Sequence, residues 1–374
     1  MATALSLPSW LNEGYFLHAL NASLIDSSHQ STILNFDLLP GLPTGQNYTS
    51  VVYKTNVKYR VKSDDVREQI FFVKTPIEDG GEILNVIRDG KFYETEILMY
   101  TECFPYMEKM VGSLEMIPRH FPSKQNCTLL LEDLSREGYT MCDKLERLDF
   151  DHCKLVFEAL AEFHAASVVL FKHKPHLVET VGEAVFCSKS PGSLRFIQEK
   201  FEDFCEVIRS WKGYERFVDV FLDYTETLWD RLEDIYNRRQ TLNVLNHGDA
   251  WTNNFLFKYG DDGIVDSVKL IDFQMPVFGS FAIDLHYVTW TSMQSSVREH
   301  RLGEIHSLYL TTLNQSLETF HCHERVSEEL FKEEIDLTQF FALFTMILPC
   351  NVIFSDLYVP SKVTFKSPRD YARH

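Results

Sequence analysis

Two short stretches carry residues whose types and spacing suit chemistry on a phosphate. The apolar run Leu242 to Leu245 leads into His247-Gly248-Asp249, and Asn254 follows five residues after Asp249. Further on, Val268-Lys269-Leu270-Ile271 delivers Asp272 into Asp272-Phe273-Gln274. Phosphoryl transfer asks for one carboxylate to orient the attacking hydroxyl, and for oxygen ligands that hold Mg²⁺ on the phosphates. Asp249 is the candidate base, and Asn254 and Asp272 are the candidate metal ligands. Asp-x-x-x-x-Asn followed by a strand delivering Asp-Phe is the order that a catalytic loop and metal-binding element require. Asp and Asn are also ordinary loop residues, so the downstream strand ending in Asp272 is what gives the pattern its weight.

These residues need a scaffold, and the chain before them supplies one. Val51, Tyr53, Thr55, Val57, Tyr59 and Val61 alternate with Lys54, Asn56, Lys58 and Arg60, the period of a half-buried strand. Ser63-Asp64-Asp65 turns the chain into a second strand, Ile70 to Lys74, which Pro76 ends. Ahead of the pair lies the turn-rich segment Gly41 to Ser50. It lacks a full Gly-x-Gly-x-x-Gly, but backbone N–H groups around Gly45 and Asn47, with the Ser50 hydroxyl, are candidate phosphate contacts. Lys74 is the candidate phosphate lysine and needs a carboxylate to hold it. Glu96 is the expected partner, on a helical stripe with Phe92, Met99, Tyr100 and Cys103. A buried strand, Cys127 to Leu131, then runs into Glu132-Asp133-Leu134. There the backbone of Glu132 and Leu134 is expected to meet an adenine edge.

Beyond Ser135 helical spacing dominates. Leu155, Phe157, Leu160, Ala161 and His164 mark one helix, with Asp149 or Asp151 as its cap and His164 read as a satisfied core histidine. Phe196 to Leu232 reads as helical, with Trp211 in phase. Gly260-Asp261-Asp262-Gly263 joins the strands around Leu256 and Leu270 as a hairpin. Asp284 is either a helix cap or an acceptor for catalytic-loop backbone. The expected architecture is α+β and two-lobed, of the protein kinase-like kind: residues 1–134 form a small lobe with an antiparallel sheet and residues 135–374 a larger, mostly helical lobe.

Composition narrows the function. The 374 residues carry a net charge of −18, which argues against nucleic acid and anionic membranes as partners. Such a chain repels phosphate overall, so a nucleotide site must draw on a local lysine and Mg²⁺. The eight cysteines are scattered without a Cys-x-x-Cys pair, and His321-Cys322-His323 points its neighbours different ways. The N-terminal residues show no basic and apolar signal pattern. The apolar stretch Phe340 to Phe354 is broken and falls short of the ~18 residues of a spanning helix. A reduced, cytoplasmic protein with no obligate protein partner is expected.

With these pieces placed, the chain resembles the ecdysteroid kinase-like family of insects, within the choline-kinase and aminoglycoside-phosphotransferase branch of the kinase fold. The resemblance rests on Pro8-Ser9-Trp10-Leu11, Gly45 to Ser50, Phe72-Val73-Lys74, Glu96 with Tyr100, Leu131 to Leu134, Gly138-Tyr139 and Leu160 to Ala165. Its most specific part is His247 to Asn254 with Ile271-Asp272-Phe273-Gln274. It implies a phosphotransferase that uses ATP and Mg²⁺ on the hydroxyl of a small-molecule alcohol, ecdysteroids being the named substrates. Asp249 is then the base, Asn254 and Asp272 the metal ligands, and Lys74 with Glu96 the phosphate clamp. A cationic alcohol such as choline or an aminoglycoside is the alternative acceptor, and a ligand-binding pseudokinase the alternative class. A protein kinase carries Arg where Gly248 stands and an Ala-Pro-Glu beyond the metal Asp; both are absent here.

Overall fold

The computed structural model describes residues 8–23, 31–39, 49–62, 65–77, 83–187, 190–237 and 242–347. The fold is α+β, and the chain divides into two compact units: 1–79 with 118–137, and 80–117 with 138–374.

The first unit is built on one antiparallel sheet of five strands in the order β1-β2-β3-β5-β4. They are β1 (Thr32–Leu39), β2 (Ser50–Lys62), β3 (Asp65–Pro76), β4 (His120–Phe121) and β5 (Leu129–Glu132). The period-two run becomes β2, whose alternation sends Tyr53, Thr55, Val57 and Tyr59 to the buried face. That face closes over Phe71, Phe121 and Leu130 and is covered by the helix Glu13–Ala22 through Tyr15 and Phe16. Asn12 caps this helix, its side chain accepting the Tyr15 N–H. Lys74 lies in β3 opposite Val52 on one side and Leu129 on the other.

The second unit is mainly helical around two small sheets. One has the order β6-β8-β9, with β6 (Thr140–Met141), β8 (Phe255–Tyr259) and β9 (Val265–Leu270). The other pairs β7 (Val244–Asn246) with β10 (Val277–Gly279). The β8–β9 hairpin closes as read from the sequence, with Gly263 N–H donating to the Gly260 carbonyl at 2.9 Å. The helix carrying Glu96 belongs to this unit, in which Ile83–Asp89 packs on Pro191–Arg209 and Phe104–Val111 on Phe150–His173. Asp149 caps Phe150–His173 by accepting the His152 N–H.

One expected helix is two. Phe196 to Leu232 falls into Pro191–Arg209 and Val218–Asn237, separated by a turn at Trp211 to Phe217. Gly213 sits there at φ +90°, a left-handed conformation that a helix interior excludes. Trp211 consequently lies on no buried stripe and is 49% exposed.

Candidate active site

β7 ends at Asn246, and the next three residues are held on all sides. Asn246 is fully buried, and its Nδ2 donates to the carbonyls of Val277 (3.0 Å) and Ser280 (3.1 Å). The Asp284 carboxylate accepts the His247 N–H at 2.6 Å and the Gly248 N–H at 2.9 Å. The His164 ring meets Asp284 Oδ2 at 3.0 Å through Nε2 and the Tyr309 hydroxyl at 2.7 Å through Nδ1. A carboxylate only accepts, so Nε2 carries a proton toward Asp284, and Nδ1 shares a hydrogen bond with the Tyr309 hydroxyl. Burial raises the Tyr309 phenol, which keeps it a donor. His164 and Asp284 are both fully buried. Of the two readings of Asp284, the structure therefore shows the loop acceptor, and His164 is the satisfied core histidine that holds it.

Gly248 is required by geometry. Its φ is +79°, and a Cβ built there would lie 1.8 Å from the Met275 carbonyl oxygen. The absence of arginine at this position thus has a steric cause.

Asp249 follows, half-buried, its two oxygens gripped by different elements. The Tyr287 hydroxyl donates to Oδ1 at 2.6 Å, and Asn254 Nδ2 donates to Oδ2 at 3.0 Å and to the Asp249 carbonyl at 2.8 Å. Burial pushes the Asp249 carboxyl above its usual range; the Tyr287 hydrogen bond pulls it back, and the negative charge of Asp272 pushes it up again.

Asp272 reaches the same place from β9. The Ile271 N–H donates to the Asn254 carbonyl at 3.0 Å, and the His247 ring meets the Ile271 carbonyl through Nε2 at 2.9 Å. Asp272 itself has φ +69°, and Gln274 N–H donates back to its carbonyl. The next ring, Phe273, is fully buried, with centroids 4.4 Å from His247, 4.8 Å from Phe104 and 5.3 Å from Phe163. This packing fixes where the turn, and hence Asp272, sits. Asn254 uses its amide nitrogen on Asp249, so its Oδ1 is the end that would ligate a cation. One amide oxygen and one carboxylate form a hard oxygen pair that fits Mg²⁺ shared with phosphate oxygens.

The remaining expected site residues are placed as follows. Lys74 is 7% exposed in the first unit. Glu96, in the second, is 3% exposed, with Gln274 Nε2 3.5 Å from its carboxylate. Ser50 is the first residue of β2 and buried. Gly45 and Asn47 lie outside the described residues. At the end of β5, Glu132 N–H donates to the Arg119 carbonyl at 3.0 Å, whereas Arg119 N–H turns to the Glu132 side chain at 2.8 Å. The Glu132 carboxylate thus takes a bond that a β-ladder ordinarily gives to the carbonyl. Leu134 is buried, and Asp133 beside it is tied to Lys54 (2.9 Å) and the Ser135 hydroxyl (2.7 Å).

Tyr287 is a residue of this site that the motif spacing does not mark. Its signal is the spacing from Asp284: i and i+3 share a helix face. On Ala282–Thr291 that face carries the acceptor for the loop backbone and the donor to Asp249.

The model of the ecdysteroid kinase-like family matches residues 44–322, well over half of the chain. No curated protein matches at a significant level. Among solved structures, a Plasmodium vivax ethanolamine kinase is 12% identical over 84% of this chain and 84% of that one, with a TM-score of 0.37. The GDP and kanamycin complex of APH(2″)-IIia is 14% identical over 83% and 94%, at 0.38. A choline/ethanolamine kinase family protein from Mesorhizobium loti is 13% identical over 81% and 82%, at 0.32.

Proposed function

Since this chain belongs to the ecdysteroid kinase-like family and is a small-molecule phosphotransferase, we propose that it moves the γ-phosphate of ATP to a hydroxyl of an ecdysteroid or a similarly apolar alcohol. The observation that carries the reading is the Asp249 carboxylate, gripped by Tyr287 and Asn254 from two elements, close enough to Asp272 to feel its charge. In the reaction the acceptor hydroxyl donates to Asp249. Its oxygen bonds to the γ-phosphorus as the bond to the β–γ bridging oxygen breaks, the proton passes to Asp249, and ADP leaves. Positioning of this kind supplies most of the catalysis in phosphoryl transfer.

Asn254 Oδ1 and the Asp272 carboxylate are the groups that would hold Mg²⁺, which when bound neutralises charge on the phosphate oxygens. Lys74 adds the local positive charge that a chain of net charge −18 needs, with Glu96 as its expected carboxylate partner. The Ser50 hydroxyl is a further contact for the phosphates in this reading, and the backbone of Glu132 and Leu134 the contact for the adenine edge.

An apolar acceptor is favoured over a cationic one by what surrounds the available charges and rings. Of Glu328, Glu329, Glu333, Glu334 and Asp336, only Glu334 is buried; the others form a solvated face. The Trp290 ring already carries the Arg298 guanidinium, 4.9 Å from its centroid, where a cationic acceptor would need an open aromatic face. ADP release measured on ecdysone-like steroids, choline and aminoglycosides at two salt levels tests the assignment. Steroid turnover insensitive to salt, and reduced ~10²–10⁴-fold in Asp249→Asn, is the expected result. Preference for the cations, weakening with salt, overturns the acceptor class. Retention of more than about half of the activity by Asp249→Asn removes it as the base, since a general base is worth far more.

A further inference from the structure

At the edge of the β6–β8–β9 sheet, four side chains outside the phosphotransfer site form one hydrogen-bonded line. Asp149 Oδ1 meets His152 Nδ1 at 2.7 Å. His152 Nε2 meets the Tyr259 hydroxyl at 2.9 Å, and that hydroxyl meets Cys142 Sγ at 3.5 Å. The line joins separate elements: Cys142 follows β6, Tyr259 ends β8, and Asp149 and His152 open the helix Phe150–His173. The Phe257 ring lies 4.7 Å from the imidazole, edge to face, and holds its plane.

The donors and acceptors run in one direction in each of two states. With the proton on sulfur, Cys142 S–H donates to the Tyr259 oxygen and Tyr259 O–H to His152 Nε2, while Nδ1–H donates to Asp149. With the proton moved along, the imidazolium donates from both nitrogens and Tyr259 O–H donates to the sulfur. Neither state leaves a donor facing a donor. Burial works against charge on His152, but the influence of Cys142 and the hydrogen bond to Asp149 outweigh it and lift the imidazole to about 9. The Tyr259 phenol, raised to about 12, remains a neutral carrier.

We propose that Cys142 is a nucleophilic modification site for small α,β-unsaturated carbonyl compounds, served by His152 through the Tyr259 hydroxyl. The sulfur forms a bond to the β-carbon as its proton moves through Tyr259 to His152. The C=C π pair passes to the α-carbon, and the same proton returns from His152 to that carbon. Atoms and charge balance with no other reactant. This chemistry uses the line in both directions, as base and then as acid. Access is available: Cys142 is half-buried and Tyr259 is 39% exposed, whereas Cys103, Cys153, Cys205 and Cys322 are buried.

The test is competitive labelling of the full chain with limiting N-ethylmaleimide at pH 7, read cysteine by cysteine by peptide mass spectrometry. Cys127 and Cys187, also half-buried, are internal references. An unassisted thiol is only a few per cent thiolate at neutral pH, so full assistance is worth at most about 30-fold in rate. Cys142 is expected to react ~10- to 30-fold faster than the references. His152→Gln and Tyr259→Phe are each expected to remove most of that excess without changing labelling of Cys127 and Cys187. Asp149→Asn retains a side-chain oxygen for the helix cap and is expected to reduce the excess by a smaller factor. Labelling of Cys142 no faster than that of the references overturns the proposal. So does a fast Cys142 whose rate is unchanged in both His152→Gln and Tyr259→Phe.

Discussion

Replacing Asp284 tests whether the loop before Asp249 is held by a buried carboxylate. In Asp284→Ala, the N–H groups of His247 and Gly248 and the Nε2–H of His164 lose their common acceptor at a fully buried position. Each unsatisfied buried donor costs ~1–3 kcal/mol, so the three together cost ~3–9 kcal/mol. That is comparable to the ~5–15 kcal/mol holding a typical protein folded. Asp284→Asn is milder: its carbonyl oxygen placed at Oδ2 still takes His247 N–H and His164, and only Gly248 N–H faces an NH₂ donor. The loss is then ~1–3 kcal/mol for that one group, plus the weaker bonds of a neutral acceptor. Tyr309→Phe removes only the outer hydrogen-bond partner of His164 Nδ1 and is expected to cost least. Urea midpoints followed by tryptophan fluorescence should rank the variants Tyr309→Phe, Asp284→Asn, Asp284→Ala in order of increasing loss. Turnover should fall with the two Asp284 changes, because the same bonds position Asp249. An Asp284→Ala protein within about 1 kcal/mol of wild type would refute the reasoning, since not even one donor could then have been stranded.

Three further outcomes follow from the same geometry. Gly248→Ala should cost more than the ~1–2 kcal/mol of a left-handed alanine alone, because its Cβ meets the Met275 carbonyl oxygen at 1.8 Å; thermal unfolding of the variant checks this, and an unchanged midpoint contradicts it. Tyr287→Phe removes a bond that lowers the Asp249 carboxyl, so the base stays protonated to higher pH and the acid limb of kcat/KM should move upward; a limb that stays put separates Tyr287 from the base. Asp272→Ala should abolish the Mg²⁺-dependent part of ATP binding, while Lys74→Met should weaken binding with and without Mg²⁺; calorimetry of each variant distinguishes the two roles, and undiminished Mg²⁺-ATP binding by Asp272→Ala removes it from the metal site.

What could be read in the chain without coordinates was whatever depends on short spacing. Asp249 and Asn254 are five residues apart, and the hydrogen bonds between them stay inside one loop. The β2 alternation, the β8–β9 hairpin and the Asp149 cap are likewise local. The helix break at Gly213 was missed because the apolar residues on either side continue a helical period by coincidence, and a glycine within a helical pattern does not announce a left-handed φ.

The role of Tyr287 was hidden for a different reason. A tyrosine in an apolar helix is as good a core residue as a donor, and only the path of the chain decides which end of its side chain meets a partner. Here the hydroxyl meets a carboxylate 38 residues earlier. One turn back on the same helix, Asp284 holds the backbone that presents that carboxylate. Ala282–Thr291 is buried almost throughout, so two polar groups at i and i+3 on it must be satisfied internally. Each is satisfied by the segment 247–249. The helix therefore fixes the loop twice, through Asp284 at the backbone and through Tyr287 at the Asp249 side chain. A shift of the helix would move both anchors together, so the direction in which the Asp249 carboxylate points is set by the helix as much as by the loop that carries it.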